Sequence, residues 1–398
     1  MNLVRKVPEK GFELPVPTEF NGVRLEVVND SVRLQKFSRD WNRLVEEAGQ
    51  RPELSYSWLS CYLETRLMPG DSWFCLLAFD GAQLVGVLPI VVVPRCWLGR
   101  GSCLRFETPY DILTTGSVEA LLRPGYEGNV FSMFLEYLWS IPASCSCLRF
   151  RGLPESRLPE LKKLCGAADS VIDFDGSESV IPVRGTAEEF IQSLSRKFRQ
   201  NYRRIGRRIQ EQPGVRFRFE SGNMEENAAA FMRIEHAGWK AQRKTSILSD
   251  ESYIHFFLLM AKRMEDQGWL RWAFLDIGGR PVAGQFMVEC GNTLYVVKIG
   301  FDEAFSNLSP GTALFGKVIE ETLSAGRMKE INFMSGYPWM KDWNVQTRPI
   351  ANVAFFPKKF LHWSLCKQPM KLRAYINRFP ALRKVVDDFS NRLLNPCP

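Results

Sequence analysis

Three closely spaced β-strands followed by a helix constrain this chain more than any other stretch. Runs rich in β-branched and aromatic residues are separated by Gly278-Gly279 and by Gly291-Asn292. Short Gly-containing turns between such runs predict an antiparallel meander. The predicted strands are Arg271–Ile277, Pro281–Cys290 and Thr293–Phe301.

A helix is predicted to begin just after the third strand. Ser309 suits the N-cap and Pro310 the first helical position, and apolar residues recur at helical spacing from Ala313 to Leu323. The unpaired N–H groups of such a helix start can hold a phosphate or pyrophosphate. An ordinary capped helix explains the same residues.

The same order of elements occurs twice along the chain. Helical patterns precede a strand, a Gly turn and a second strand in both halves, and the spacing of Gly81 and Gly86 recurs in Gly279 and Gly284. We therefore predict an α/β (α+β) protein made of two related units, with mixed sheets flanked by helices. The alternative is coincidence, because strand–turn–strand is a common arrangement.

The predicted units are residues 23–180 and 181–357. The helix of the first unit starts late after Arg123-Pro124-Gly125, so we expect that unit to be structural. Residues 1–22 are predicted to form an irregular leader, and residues 358–398 a helical extension with basic flanks. We expect the extension to pack on the two units, and the alternative places it on an anionic membrane surface.

Composition narrows the class of protein. The longest apolar run, Leu84–Val93, is too short to cross a membrane, and the N-terminus has no signal-peptide pattern. We expect a cytoplasmic protein. Of the ten cysteines only Cys145 and Cys147 lie close together, which matches no zinc pattern, so we expect reduced thiols and no metal.

The most basic stretch of the chain lies between the two units. Residues 195–209 predict an amphipathic helix with one apolar stripe and seven cations on the opposite half. A solvated surface is one interpretation. The other is an anionic ligand, such as a phosphate-bearing cofactor, a nucleotide-sugar or lipid-pyrophosphate acceptor, or a polysaccharide. We expect no nucleic-acid partner unless aminoacyl-tRNA is the donor.

Four short stretches carry a more specific pattern. They are Ser195-Arg196-Lys197-Phe198-Arg199, His236-x-x-Trp239-Lys240, Gly300-Phe301-Asp302 with Leu308-Ser309-Pro310-Gly311, and Gly336-Tyr337 with Lys341 and Trp343. Together they resemble the CelD/BcsL-type acyltransferases. These are GNAT-superfamily proteins associated with cellulose and exopolysaccharide biosynthesis, and distant relatives of the FemAB aminoacyltransferases. The resemblance covers roughly residues 23–357.

The resemblance implies a tandem double GNAT fold whose second unit binds acetyl-CoA or another acyl-CoA. This chain has Leu308-Ser309-Pro310-Gly311-Thr312-Ala313 where the GNAT phosphate loop reads Gln/Arg-x-x-Gly-x-Gly/Ala. The donor-binding residues are predicted to be Val297, Ile299, Gly300, Ser309, Pro310, Gly311 and Thr312. The substrate-binding residues are predicted to be Arg199, Arg203, Arg207, Trp239, Lys240 and Lys341.

Acyl transfer from a thioester needs a base for the acceptor, donors for the developing oxyanion and a proton for the thiolate. Glu235 or His236 is the predicted base, directly or through a water, and Tyr295 or Tyr337 the predicted proton donor. Each could instead be an ordinary structural residue. No nucleophile motif is present in the sequence.

The predicted function is transfer of an acyl group to an amine or hydroxyl of a carbohydrate-pathway acceptor, related to exopolysaccharide or cellulose. One alternative is FemAB-like aminoacyl transfer from aminoacyl-tRNA, which the basic helix would suit. A second is a non-catalytic GNAT-fold module that binds a nucleotide or a partner protein.

Overall fold

One mixed β-sheet runs through the whole described part of the chain. The computed structural model describes residues 19–357 apart from 21, 49–50, 97–101, 111–115, 143–144, 167 and 239–243, together with Pro15, Gln368, Lys371 and Tyr375. In these residues, fourteen strands belong to a single sheet. The predicted leader and C-terminal extension lie almost entirely outside the described residues.

The strands are β1 (Glu19–Phe20), β2 (Val23–Val28), β3 (Ser72–Asp80), β4 (Gln83–Cys96), β5 (Ser102–Glu107), β6 (Leu121–Leu122), β7 (Cys145–Pro154), β8 (Asp169–Pro182), β9 (Arg216–Glu220), β10 (Leu270–Ile277), β11 (Arg280–Cys290), β12 (Thr293–Phe301), β13 (Glu330–Asn332) and β14 (Gln346–Phe356). The helices are α1 (Ser31–Gln35), α2 (Ser38–Ala48), α3 (Tyr56–Thr65), α4 (Glu127–Ser140), α5 (Leu158–Leu164), α6 (Ala187–Ser193), α7 (Arg196–Gln210), α8 (Met224–His236), α9 (Glu251–Asp266) and α10 (Pro310–Ala325). Among the described residues, five short 3-10 helices span Pro52–Leu54, Glu155–Arg157, Ile247–Ser249, Glu303–Leu308 and Pro338–Trp343.

The strand order shows an internal repeat. Along the sheet it is β1-β2-β3-β4-β5-β7-β14-β8-β13-β12-β11-β10-β9, with β6 paired to β4. The order is symmetric about the β14/β8 pair, so β5 corresponds to β12, α4 to α10 and β7 to β13. Each half contributes its last strand to the other half: β8 pairs with β13, and β14 pairs with β7.

The exchanged strands join the halves through an antiparallel ladder. β8 and β14 share ten register pairs, from Gln346↔Val180 to Phe356↔Asp169. The register shifts between Pro349 and Ala351, which fits a proline, since it cannot donate to the ladder. The predicted boundary between residues 180 and 181 falls inside β8.

Three large apolar clusters and one small one fill the two faces of the sheet in the described part of the chain. A shared cluster joins both halves and contains Leu59 and Phe79 from one and Phe256 and Trp272 from the other. Two outer clusters lie on the opposite face, one under α4 and α5 and one under α6, α7 and α10. The halves are tied further because Arg263 of α9 donates to Ser60 and Glu64 of α3, each at 2.7 Å.

The mixed α/β class, the meander and the basic helix are confirmed. The predicted strand Thr293–Phe301 matches β12 at both ends. Cys61, Cys75, Cys147, Cys165 and Cys290 are free and buried, as expected. No helix in the described part of the chain is long and apolar enough to cross a membrane.

Candidate active site

β12 and β13 begin side by side and then separate. Three parallel register pairs join them, the last being Tyr295↔Asn332. The Asn332 Oδ1 then accepts the Met334 N–H at 2.7 Å, and the Phe333 N–H donates to the Ser179 carbonyl at 2.9 Å. The chain after β13 therefore turns toward β8 and leaves β12, which opens a gap beyond Tyr295.

A β-bulge in β12 sets which side chains lie on the face of the sheet that α8 covers. Val296 pairs with Met287 but Lys298 pairs with Phe286, so Val297 is the extra residue. Lys298 and Gly300 consequently face α8. A Cβ on Gly300 would lie 3.0 Å from Glu235 Cα, so α8 packs closely against the backbone of β12.

The start of α10 lies at the far end of the gap. Ser309 occupies the N-cap position, but its φ is 55° and its side chain makes no capping hydrogen bond. Ser309 and Pro310 thus hold the predicted N-cap and first helical positions, but the Ser309 side chain does not cap the helix. Its left-handed backbone turns the hydroxyl away from the first-turn amides, and the Ser309 carbonyl accepts from Thr312 and Ala313 at 3.1 and 3.2 Å.

Few amides at this helix start can bind an anion. Pro310 has no N–H, and Thr312 and Ala313 already donate, so the Gly311 amide is the best placed. The first turn contains no acidic residue. A Cβ on Gly311 would lie 3.1 Å from the Phe301 ring, so the helix start sits directly against the end of β12.

The two predicted bases lie in different surroundings. Glu235 is 1% exposed, accepts the Ile247 N–H at 2.8 Å and lies 3.3 Å from the Lys298 ammonium group. His236 is exposed, and its Nδ1 is 2.8 Å from the Ser246 hydroxyl. A general base needs access to the acceptor proton. His236 is exposed and Glu235 is buried, so His236 meets this requirement better. Both roles stay predictions.

The two predicted tyrosines are also separated. Tyr295 is buried, and burial together with nearby Glu53 raises its pKa well above the usual range. Tyr337 is 51% exposed and precedes the 3-10 helix Pro338–Trp343. Tyr295 adjoins the point where β12 and β13 separate. Its raised pKa makes the hydroxyl a weaker acid, so position and not acidity favours Tyr295 for the predicted role of proton donor.

α7 packs against α10 and reaches the 3-10 helix that precedes it. Tyr202 donates to Glu320 of α10 at 2.8 Å, and Arg208 donates to the Asn307 carbonyl. Arg199 donates to the carbonyls of Gln192 and Leu194, so it caps the end of α6. No ion pair holds any of the seven α7 cations within the described residues.

The other predicted substrate-binding residues are scattered. Arg203, Arg207 and Lys341 are exposed. Trp239 and Lys240 lie outside the described residues. Arg203 and Arg207 lie on α7, where neither forms a hydrogen bond or ion pair with a described residue of α10, and Lys341 lies on the separate 3-10 helix Pro338–Trp343.

A cavity of about 260 Å³ lies where the two halves meet. We call it the seam cavity, and its charged and polar lining residues include Arg51, Glu53, Arg157, Glu178, Tyr295, Glu330, Asn332 and Arg348. Of these, sequence reasoning identified Tyr295 alone. The others come from elements far apart in the chain, so no local motif marks them.

A larger depression, of about 540 Å³, lies between α2, α3 and α9. It is open to solvent and does not contact β12 or β13, so we do not assign it to the chemistry. Among the described residues, no group of three His, Cys, Asp or Glu side chains could hold a metal ion.

Residues 196–341 match the family model described as an acetyltransferase (GNAT) domain. The chain thus carries a GNAT-superfamily acetyltransferase domain. The matched residues run from α7 into the 3-10 helix Pro338–Trp343, and they include β12, β13 and the start of α10. Together with the repeated topology, the match confirms the tandem double GNAT fold.

Two solved structures have similar folds. The crystal structure of FemX has a TM-score of 0.55 at 9% identity, over 86% of this chain and 100% of that one. A conserved protein of unknown function from Bacteroides thetaiotaomicron has a TM-score of 0.51 at 11% identity, over 84% of this chain and 100% of that one. A search of curated protein sequences found no match.

Proposed function

We propose that this protein transfers an acyl group from acyl-CoA to an amine or hydroxyl of a carbohydrate-pathway acceptor. The observation that carries the proposal is the gap between β12 and β13, with the start of α10 at its end. An extended thioester could lie along the free edge of β12. The carbohydrate acceptor is supported by the resemblance to CelD/BcsL-type acyltransferases.

The edge of β12 would supply the electrostatic part of catalysis. Backbone N–H groups between Val297 and Gly300 would donate to the thioester oxygen as negative charge develops on it. The bulge at Val297 supports this role, because a bulge releases backbone groups from the regular ladder.

The start of α10 would bind the pyrophosphate of the donor. The Gly311 amide, the positive end of the helix dipole and the absence of acid in the first turn all favour an anion there. Arg208, next to Asn307, adds positive charge nearby. Tyr295 would give a proton to the departing thiolate.

Calorimetric titration with acetyl-CoA tests this donor site. Gly311→Leu should weaken binding at least tenfold, since the new side chain would occupy the approach to the helix start beside Phe301. Gly128→Leu is the matched control, because Gly128 is the second residue of the corresponding helix α4 and a Cβ there meets nothing within 4 Å. Equal affinities in all three proteins would remove the proposed site.

Aminoacyl transfer from aminoacyl-tRNA is a second candidate function, favoured by the cations of α7, none of which forms an ion pair with another described residue. Phosphate contacts make such binding strongly dependent on salt. The test is a filter-binding titration with charged and uncharged tRNA over a range of salt concentrations. Arg203→Gln with Arg207→Gln should weaken binding and flatten its salt dependence. Lys162→Gln with Lys163→Gln, exposed on α5, should change neither.

A further inference from the structure

The last turn of α8 lies against the end of β12. A Cβ on Gly300 would lie 3.0 Å from Glu235 Cα, and the Ala237 carbonyl accepts the Glu303 N–H at 3.4 Å. His236 lies between Glu235 and Ala237 in the sequence. An α-helix turns by about 100° per residue, so the His236 side chain leaves α8 at the edge of the face that packs on β12. His236 therefore lies beside the strand on which the thioester is proposed to bind.

Ser246 holds one nitrogen of the His236 ring. The distance from His236 Nδ1 to the Ser246 hydroxyl is 2.8 Å, and the distance from that hydroxyl to the Ser249 hydroxyl is 2.7 Å. Ser246 is 2% exposed, so water does not compete for its hydroxyl. His236 itself is exposed, and among the described residues no hydrogen bond involves its Nε2. The protein thus holds the Nδ1 side of the ring and leaves the Nε2 side open to a substrate.

The Ser246 hydroxyl contacts the histidine instead of capping a helix. Ser246 occupies the N-cap position of the 3-10 helix Ile247–Ser249, where a serine side chain commonly accepts a backbone N–H, but it makes no capping hydrogen bond. Asp250, at the start of the next helix, does cap: its carboxylate accepts the Ser252 N–H at 2.8 Å. The Ser246 side chain therefore stabilises the orientation of the His236 ring and not the helix start.

Glu235 fixes the segment that carries Ser246. Its Oε2 accepts the N–H of Ile247, the residue after Ser246, at 2.8 Å, and its Oε1 lies 3.3 Å from the Lys298 ammonium group. Both carboxylate oxygens are thus engaged in a buried position. A general base must reach the proton of the acceptor, and the buried Glu235 carboxylate does not. It instead ties the Ser246 segment to β12.

We propose that Ser246 fixes the tautomer of His236, with the proton on Nδ1 and the lone pair on Nε2, and that Glu235 holds Ser246 in place. In this arrangement the Nδ1–H donates to Ser246, and the Ser246 hydroxyl donates to Ser249. The inference rests on the proposed acyltransferase function, in which it makes His236 the general base. Ser246 and Glu235 are positioning residues.

This tautomer lets the transfer step balance. The acceptor nitrogen or oxygen attacks the thioester carbonyl carbon, and its proton moves to His236 Nε2 as the new bond to carbon forms. The C–S bond breaks, its electron pair stays on sulfur, and the thiolate takes a proton from Tyr295. His236 is then an imidazolium whose Nδ1–H still donates to Ser246. Its Nε2 proton returns to solvent, and solvent reprotonates Tyr295.

The tautomer is measured by NMR in the full chain labelled with ¹⁵N-histidine. The sequence contains three histidines, so a two-bond ¹H–¹⁵N correlation spectrum has few ring signals, and the set lost in His236→Gln belongs to His236. At about pH 9, where a free imidazole is neutral, we expect a protonated Nδ1 and an unprotonated Nε2 in the wild-type protein. Ser246→Ala should lose this preference, because nothing then holds the Nδ1–H.

Ser140→Ala is the matched control for loss of a serine hydroxyl. Ser140 ends α4 in the other half of the sheet, and its hydroxyl donates to the Tyr137 carbonyl at 2.7 Å, so the variant should keep the wild-type tautomer. A proton on Nε2 in the wild-type protein would overturn the proposal without any variant. An unchanged tautomer in Ser246→Ala would overturn the role of Ser246.

Thiol release from acetyl-CoA separates the base from its positioning residues. With the acceptor that gives the highest wild-type rate, kcat should fall about 10²–10⁴-fold in His236→Gln and by a smaller factor in Ser246→Ala. Glu235→Gln keeps an oxygen for the Ile247 N–H, so below its melting temperature it should retain more activity than His236→Gln. Equal losses in these two variants would overturn the assignment of the base. A wild-type protein that releases no thiol would instead overturn the proposed function, and the measured tautomer would still stand.

Discussion

The two halves of the sheet repeat the same elements but differ where strands β5 and β7 correspond to β12 and β13. In the first half, five parallel register pairs join β5 to β7 up to Glu107↔Arg149, and the Thr108 N–H extends the pairing at 3.0 Å. In the second half, pairing stops after three pairs. The two strands therefore stay paired in the first half and separate at the corresponding place in the second half, which we call the open half.

The starts of the corresponding helices α4 and α10 also differ, in whether an acidic side chain lies there. At α4 the Glu127 carboxylate accepts the Gly125 N–H at 2.8 Å, so the chain's own anion occupies that start. At α10 the first turn contains no acid. The two halves of the duplicated fold therefore differ at this place in one strand pair and one helix turn.

The largest expected effect is a loss of folding stability when the buried ion pair between Lys298 of β12 and Glu235 of α8 is broken. Lys298→Met would leave Glu235, 1% exposed, without the ammonium group 3.3 Å away. Breaking a buried pair by removing one partner costs about 3–5 kcal/mol, and we expect that loss in urea unfolding.

The first half provides the comparison for that loss. Glu107 of β5 contacts both Arg105 and Arg149, so Arg149→Gln leaves one cation in place. This change should cost about 1 kcal/mol or less. Equal losses in Lys298→Met and Arg149→Gln would show that the two halves do not differ in this respect.

The repeated glycines should show the next largest effect. A Cβ on Gly86 would lie 2.5 Å from Val130 Cγ1, and one on Gly284 would lie 3.0 Å from Phe231 and Phe274. Gly86→Ala and Gly284→Ala should each cost about 1–3 kcal/mol through overpacking. Gly128→Ala in α4 should instead stabilise by about 0.5–1 kcal/mol. Thermal unfolding of the three variants checks this, and a neutral Gly86→Ala would contradict it.

The smallest expected effect is a pH dependence at the seam cavity. The folded pKa of Glu178 is raised from 4.5 by burial, so the folded state binds that proton more tightly. Stability contributed by this group is lost as the pH rises above 4.5. Glu178→Gln cannot ionise, and its advantage over wild type should appear above that pH and vanish below it.

The pKa of Glu220 is shifted in the opposite direction to that of Glu178. Hydrogen bonds from Asn227 and Arg218 lower its pKa from 4.5, against the opposing effect of burial. Its contribution is present above pH 4.5 and is lost as the pH falls through its folded value. Glu220→Gln should therefore be less stable than wild type at neutral pH, with the difference disappearing in acid. Unfolding curves that shift in the same direction for both variants would refute the assignment.

Local pattern was enough to predict the elements of the open half. Alternation and Gly-containing turns placed β10, β11 and β12 within one residue of their observed ends. The stripe that includes Ile205 and Ile209 is buried under α7, as helical spacing predicted. These features depend on neighbours in the chain.

The exchange of β8 and β14 could not be predicted in this way. β8 contains Asp and Ser residues and Gly176, and β14 contains Pro349, so neither has the alternation of a central strand. Both are stabilised by pairing with strands far away in the chain. The seam cavity follows from that exchange, which explains why Glu178 and Arg348 had no signal in the sequence.

The most direct test of acyl transfer is release of free thiol from acetyl-CoA in the presence of a panel of amino sugars and glycan precursors. We expect release that depends on the acceptor in the wild-type protein and in Gly128→Leu, and that falls at least tenfold in Gly311→Leu. A wild-type protein that binds acetyl-CoA but releases no thiol above background with any acceptor would contradict an acyltransferase and favour a non-catalytic binding module.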